Sequence, residues 1–129
     1  MNALQLWQDQ QQIAEVKKLF APTLSDSEFS IFCGLGKTLE LNPFTREIWA
    51  VKYGTTASIF VGRDGYRKNA QRHPQYDWHY EEAVYENDNF ALTPNGVEHK
   101  FNLQNRGALV GAYALCKRKD SSRPNYIYV

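Results

Sequence analysis

Two clusters of cations hold the residues in this 129-residue sequence best suited to chemistry. Arg63, Arg67, Lys68 and Arg72 are opposed locally only by Asp64, and Lys117, Arg118, Lys119 and Arg123 only by Asp120. Arg46 and Lys52 bracket a strand candidate, and Arg106 sits in a turn. The acids gather elsewhere, notably at Glu81, Glu82, Glu86 and Asp88. The formal net charge is only +1, so total charge neither requires nor forbids a polyanionic partner. Segregated charge can still present a positive track, and such a track neutralises phosphates and releases counterions. Helical geometry limits the first cluster. At about 100° per residue, Arg63 and Arg67 share one side of a helix while Lys68 and Arg72 lie towards the other.

Other chemistries have weaker support. The sequence contains no nucleophile elbow, P-loop, dinucleotide fingerprint or zinc-binding helix motif. His73, His79 and His99 are scattered and read as surface residues. His79 and Glu81 alternate on a strand and share a face, but two residues do not make a metal site. Glu82 and Glu86 can share a strand face, as a metal-dependent nuclease would need. Charge on a solvated strand edge, where it discourages edge pairing, is the simpler reading. No metal, cofactor or catalytic residue is expected. Aromatic residues make up 14% of the chain, which suits core and strand packing. Base stacking would need some of them exposed. Cys33 and Cys116 read as buried free thiols.

The elements that must position these residues follow from periodicity. Residues 4–20 read as one amphipathic helix, with Leu6, Ile13, Val16, Leu19 and Phe20 near helical spacing. Ser25-Asp26-Ser27-Glu28 is a capping box opening a helix over residues 26–40, which Asn42-Pro43 ends. Residues 47–52 and 57–61 flank Gly54-Thr55-Thr56 and predict a β-hairpin. Gly62-Arg63-Asp64-Gly65 leads into a short polar helix over residues 66–71. Residues 78–86, 97–103, 108–117 and 126–129 are strand candidates of an antiparallel meander, separated by Asn-, Asp-, Pro- and Gly-rich turns. The fold class is therefore α+β: N-terminal helices, a β-hairpin, a short helix, then the meander.

Length predicts a single domain over residues 1–129. The longest nearly apolar run, residues 108–116, is about half a membrane span, and no secretory signal pattern opens the chain. No membrane association is expected. The last strand candidate is still running at Val129, so the chain is expected to be a fragment or shortened version of something longer.

Leu41-Asn42-Pro43-Phe44-Thr45-Arg46-Glu47-Ile48-Trp49-Ala50, followed by Val61-Gly62-Arg63-Asp64-Gly65-Tyr66, resembles the paired motif of the Bet/Red-beta and RecT family of phage single-strand annealing proteins. The capped helix before it fits as well. So do Gly107-Ala108-Leu109-Val110-Gly111-Ala112-Tyr113-Ala114 and the basic turn Lys117-Arg118-Lys119-Asp120. The likeness runs from about Phe20 to Val129. It implies a non-enzymatic, ATP-independent protein of the bacterial cytoplasm, encoded by a phage or prophage. Such a protein binds single-stranded DNA, pairs it with its complement and holds the nascent duplex. It would act as a homo-oligomeric ring or filament beside a partner exonuclease. The family continues into a Lys- and Arg-rich helical segment that has no counterpart here.

The resemblance places Lys119, Lys68 and Arg46 on basic groove positions and Lys52 near another, while Ala21 stands where Red-beta has a lysine. With the cluster residues Arg67, Arg72, Lys117 and Arg123, these form the expected DNA-binding set. Asn42, Pro43, Asp64 and Gly65 read as turn and cap formers. An assembly or partner-binding module derived from the same family is the alternative. Annealing requires phosphates to be gripped while base edges stay free. Four gripped phosphates would give a logarithmic salt slope of about −3 on a single strand.

Overall fold

In the computed structural model, which describes residues 2–129, the first predicted helix is in fact two. Helix α1 (Ala3–Leu6) closes at Trp7, and α2 (Gln10–Phe20) starts afresh from Asp9. The Asp9 carboxylate accepts the N–H groups of Gln11 and Gln12, at 2.9 and 3.2 Å. A carboxylate that satisfies first-turn amides is a strong N-cap, and here it overrides the hydrophobic spacing running through it. The break sends Trp7 inward. Its indole N–H donates to the Leu41 carbonyl at 2.8 Å, and its ring covers Gly36 of α3 (Asp26–Thr38). A Cβ on Gly36 would lie 2.7 Å from Trp7 Cε2, so only glycine admits the ring.

Helix α3 opens with the predicted capping box. The Ser25 N–H donates to Glu28 Oε2 at 2.7 Å, and the Glu28 N–H donates to Ser25 Oγ at 3.3 Å. Its end differs from the sequence expectation. Glu40 turns left-handed (φ 51°), the Leu41 N–H reaches the Gly36 carbonyl, and the Glu40 N–H reaches that of Lys37. That pair of bonds is a Schellman cap, which stops the helix before Asn42-Pro43 can act. It also drives Leu41 fully into the core beside Trp7, Val16, Leu24, Phe29, Phe32 and Ile48.

Strands β1 (Ile48–Tyr53) and β2 (Thr56–Val61) form the predicted hairpin, with Trp49 opposite Phe60 and Tyr53 opposite Thr56. Alternation divides its two faces. Ile48, Ala50, Ala57, Ile59 and Val61 pack on the core, whereas Trp49, Tyr53 and Phe60 are exposed. Helix α4 (Arg63–Arg72) begins three residues earlier than predicted. These elements make one compact unit, Met1–Arg72; His73–Val129 make a second.

The second unit holds β3 (Tyr76–Tyr85), β4 (Asn89–Thr93), β5 (Gly96–Lys100), β6 (Leu109–Arg118) and β7 (Asn125–Tyr128). The α+β class is as expected, but the connectivity is not a plain meander. β3, β6 and β7 form an antiparallel sheet in that order, and β4–β5 is a separate hairpin inserted between β3 and β6. Strand β4 escaped the sequence reading because its ends, Asn89 and Thr93, read as turn residues. Cys33 is half-buried and Cys116 exposed on β6, so the expectation of two buried thiols fails at Cys116.

A buried polar cluster organises this unit. The Asp88 carboxylate, with no exposed side-chain surface, accepts Arg106 Nη2 at 2.6 Å and His99 Nε2 at 2.9 Å. It also accepts the backbone N–H groups of Asn102 and Tyr85. Because a carboxylate only accepts, Nε2 carries the proton to it, and Nδ1 lies 3.0 Å from the Tyr113 hydroxyl. The Arg106 guanidinium, assisted by His99 and the two amides, overcomes burial and holds the Asp88 carboxyl well below the usual range. Phe90 stacks on Tyr113 and Tyr128 over the cluster. His99 is therefore no surface residue: its side chain is 4% exposed. Among the described residues no helix is long and apolar enough to cross a membrane.

Candidate nucleic-acid interface

The loop from Leu41 to Glu47 positions the first candidate cation. The Asn42 side chain accepts the Phe44 N–H and starts a 3-10 turn, Pro43–Thr45, with proline at its first position. Arg46 closes that turn in the left-handed region (φ 58°, ψ 30°). An L-residue held there costs about 1–2 kcal/mol. Asn42 and Pro43 thus have the structural roles expected of them. Gly65, expected as a turn or cap former, instead lies inside α4, buried where a Cβ would meet the Glu47 carbonyl oxygen at 2.6 Å, so its role is close packing.

Glu47 locks the loop from beneath. Its carboxylate, 10% exposed, accepts the Asn42 N–H at 2.8 Å, the Thr45 hydroxyl at 3.0 Å and the Lys68 ammonium at 3.0 and 3.1 Å. Burial opposes its ionisation, but these three donors outweigh burial and keep the carboxyl below its ordinary value. The sequence motif therefore encodes a buried anion as well as a turn.

Most of the eight expected DNA contacts have a partner inside the fold. Lys68 is bound to Glu47. Lys52 meets Glu28 at 2.9 Å, beneath the α3 capping box. Arg72 donates to the carbonyls of Leu39 and Glu40, both at 3.1 Å, and so caps the end of α3. Lys117 lies 3.6 Å from Asp77 and donates to the Arg118 carbonyl. Arg123 donates to the Pro94 carbonyl. Arg67 is engaged as well. Among the described residues, the side chains of Arg46 and Lys119 make no hydrogen bond or ion pair.

The surroundings of these two residues explain why they stand clear. In the basic turn after β6, Arg118 and Asp120 clasp each other through two bonds of 2.8 Å. The Lys119 N–H donates to the Gln75 carbonyl at 2.7 Å. The backbone is thereby fixed and the Lys119 side chain is left exposed. Arg46 lines a groove of about 400 Å³ with Phe20, Pro43 and Trp49. Trp49 stacks near-parallel on Phe60, with ring centroids 6.0 Å apart and planes at 23°. The sequence reading missed this exposed pair, although the alternation of β1 and β2 already set Trp49 and Phe60 opposite the core-facing residues.

The remaining candidates resolve differently. Among the described residues no three His, Cys, Asp or Glu side chains group as a metal site would need. Of the acidic run, Asp88 is the anion of the buried cluster rather than part of a solvated edge. The model of the RecT family matches residues 7–129, and the chain belongs to that family. No curated protein sequence matches it.

Proposed function

We propose that this chain is a single-stranded-DNA-binding and annealing protein of phage-type homologous recombination. It grips phosphates without regard to sequence and works without ATP, as a non-enzymatic oligomer in the cytoplasm of a bacterial host. Its partners are the single strand, the nascent duplex and an exonuclease that exposes the strand. RecT family membership over nearly the whole chain carries this reading. The disposition of the cations supports it. Arg46 and Lys119 are exposed, have no other protein partner among the described residues, and sit on backbone fixed by neighbouring groups. Such cations contact a phosphate without first breaking an internal bond. Lys52, Arg67, Lys68, Arg72, Lys117 and Arg123 contribute in second place, through donors the fold does not use, since an ammonium has three and a guanidinium five.

The same observation gives the rival reading its basis. With six of the eight cations engaged internally, the chain could serve as an assembly or partner-binding module that leaves the strand to other segments. Anisotropy of a labelled poly-dT strand at several salt concentrations separates the two. Annealing predicts salt-sensitive binding, and Arg46→Ala with Lys119→Ala flattens the logarithmic slope by about 1.4, from 0.7 per phosphate. Absence of binding at low salt, or an unchanged slope in the double variant, favours the module.

A further inference from the structure

The outer face of the β1–β2 hairpin has the composition of a stacking platform. Trp49 and Phe60, 38% and 41% exposed, face solvent as one stacked pair, and Tyr53 extends the face at 70% exposure. The alternate residues of both strands face the core, so these rings lie outside the core cluster. The adjoining groove is lined by Phe20, Pro43, Trp49 and Arg46, with no carboxylate among them. Aromatic surface beside a guanidinium that has no partner among the described residues is complementary to a nucleotide, whose base is flat and apolar and whose phosphate is an anion. An aliphatic protein partner would give that guanidinium nothing to pair with.

We infer that Trp49, with Phe60 behind it, stacks on a base of the bound single strand while Arg46 holds that nucleotide's phosphate. This rests on the strand-binding reading above and adds a base-dependent term to it. Stacking on an aromatic ring tolerates every base, because each has a π-face, so sequence independence is kept. One stacked base per subunit is expected to tighten binding by roughly tenfold to a hundredfold.

The test compares a labelled dT strand with an abasic strand of equal length, at one low salt concentration, using the full chain. The parent should prefer dT by about tenfold or more. Trp49→Leu should lose most of that preference and Trp49→Phe should keep it, with abasic binding unchanged in both. Because Trp49 also lies close to Gly62, Phe60→Leu serves as a second variant, and thermal melting verifies folding. Equal binding of dT and abasic strands by the parent overturns the inference alone, leaving phosphate gripping intact. A full preference retained by both folded leucine variants also overturns it. So does loss of self-association in Trp49→Leu with the preference unchanged, which would make the face a contact between copies. Failure of the parent to bind either strand overturns both readings.

Discussion

Lys68→Ala should act first on stability, because the Lys68 ammonium is bound to both oxygens of Glu47. Removing it leaves a carboxylate only 10% exposed with two neutral donors, the Asn42 amide and the Thr45 hydroxyl. Depriving a buried acceptor of one partner costs about 1–3 kcal/mol, and more when the group is charged. Lys68 is itself 38% exposed, so solvent screening favours the lower half, about 1–2 kcal/mol. For a chain of this size that is a fall in Tm of roughly 3–8 °C. The pH dependence sharpens the test. The Glu47 carboxyl is lowered in the folded state, so its contribution is complete above the unfolded value of about 4.5 and fades as pH falls through the folded value. Urea unfolding of parent and variant should show the full gap at pH 7 and a narrowing gap below about pH 4.5. In a Glu47→Gln background, Lys68→Ala should cost little, since the double-mutant cycle removes the shared term. Equal stability at pH 7, or a gap that ignores both pH and the Gln background, would refute the assignment of Lys68 as the counter-ion of Glu47.

Three further outcomes can be checked. Gly36→Ala should destabilise by about 1–3 kcal/mol despite alanine's better helix propensity, because the new methyl meets the Trp7 ring; thermal melting reads it, and a rise in Tm would contradict the packing. Ser25→Ala should cost about 1 kcal/mol by breaking the α3 capping box, measured by chemical denaturation. Asp88→Asn should lower the denaturation midpoint. Because the folded Asp88 carboxyl is held far below its ordinary value, the deficit should be full above about pH 4 and shrink in more acidic solution.

Local signals in the sequence carried much of this fold, and contacts between distant residues carried the rest. The Ser25–Glu28 box, the hairpin around Gly54 and the cap formed by Asn42 are short-range and were readable. The break at Trp7 was hidden, because the hydrophobic spacing continues through it and only Asp9 marks the restart. The Schellman end of α3 uses a glutamate at positive φ, where glycine would have announced it. Strand β4 is short and bounded by turn formers. The cation clusters were legible as clusters, but their partners were not: Lys68 with Glu47, Lys52 with Glu28 and Arg106 with Asp88 lie 21, 24 and 18 residues apart. Composition registers these residues as charges and cannot say which are internal counter-ions. The Asp88–His99–Tyr113 cluster was missed for the same reason.

The left-handed backbone at Arg46 has an evolutionary corollary. Selection for thermal robustness alone would favour glycine or asparagine at that turn, since either relieves the torsion at once. On the strand-binding reading proposed above, a long cation persists there only while its tip is useful. Among descendants of this lineage, the identity of that single residue should then report whether the proposed polynucleotide task has been kept. Arginine or lysine is expected where annealing is retained, and a drift to glycine where the scaffold has been put to other use.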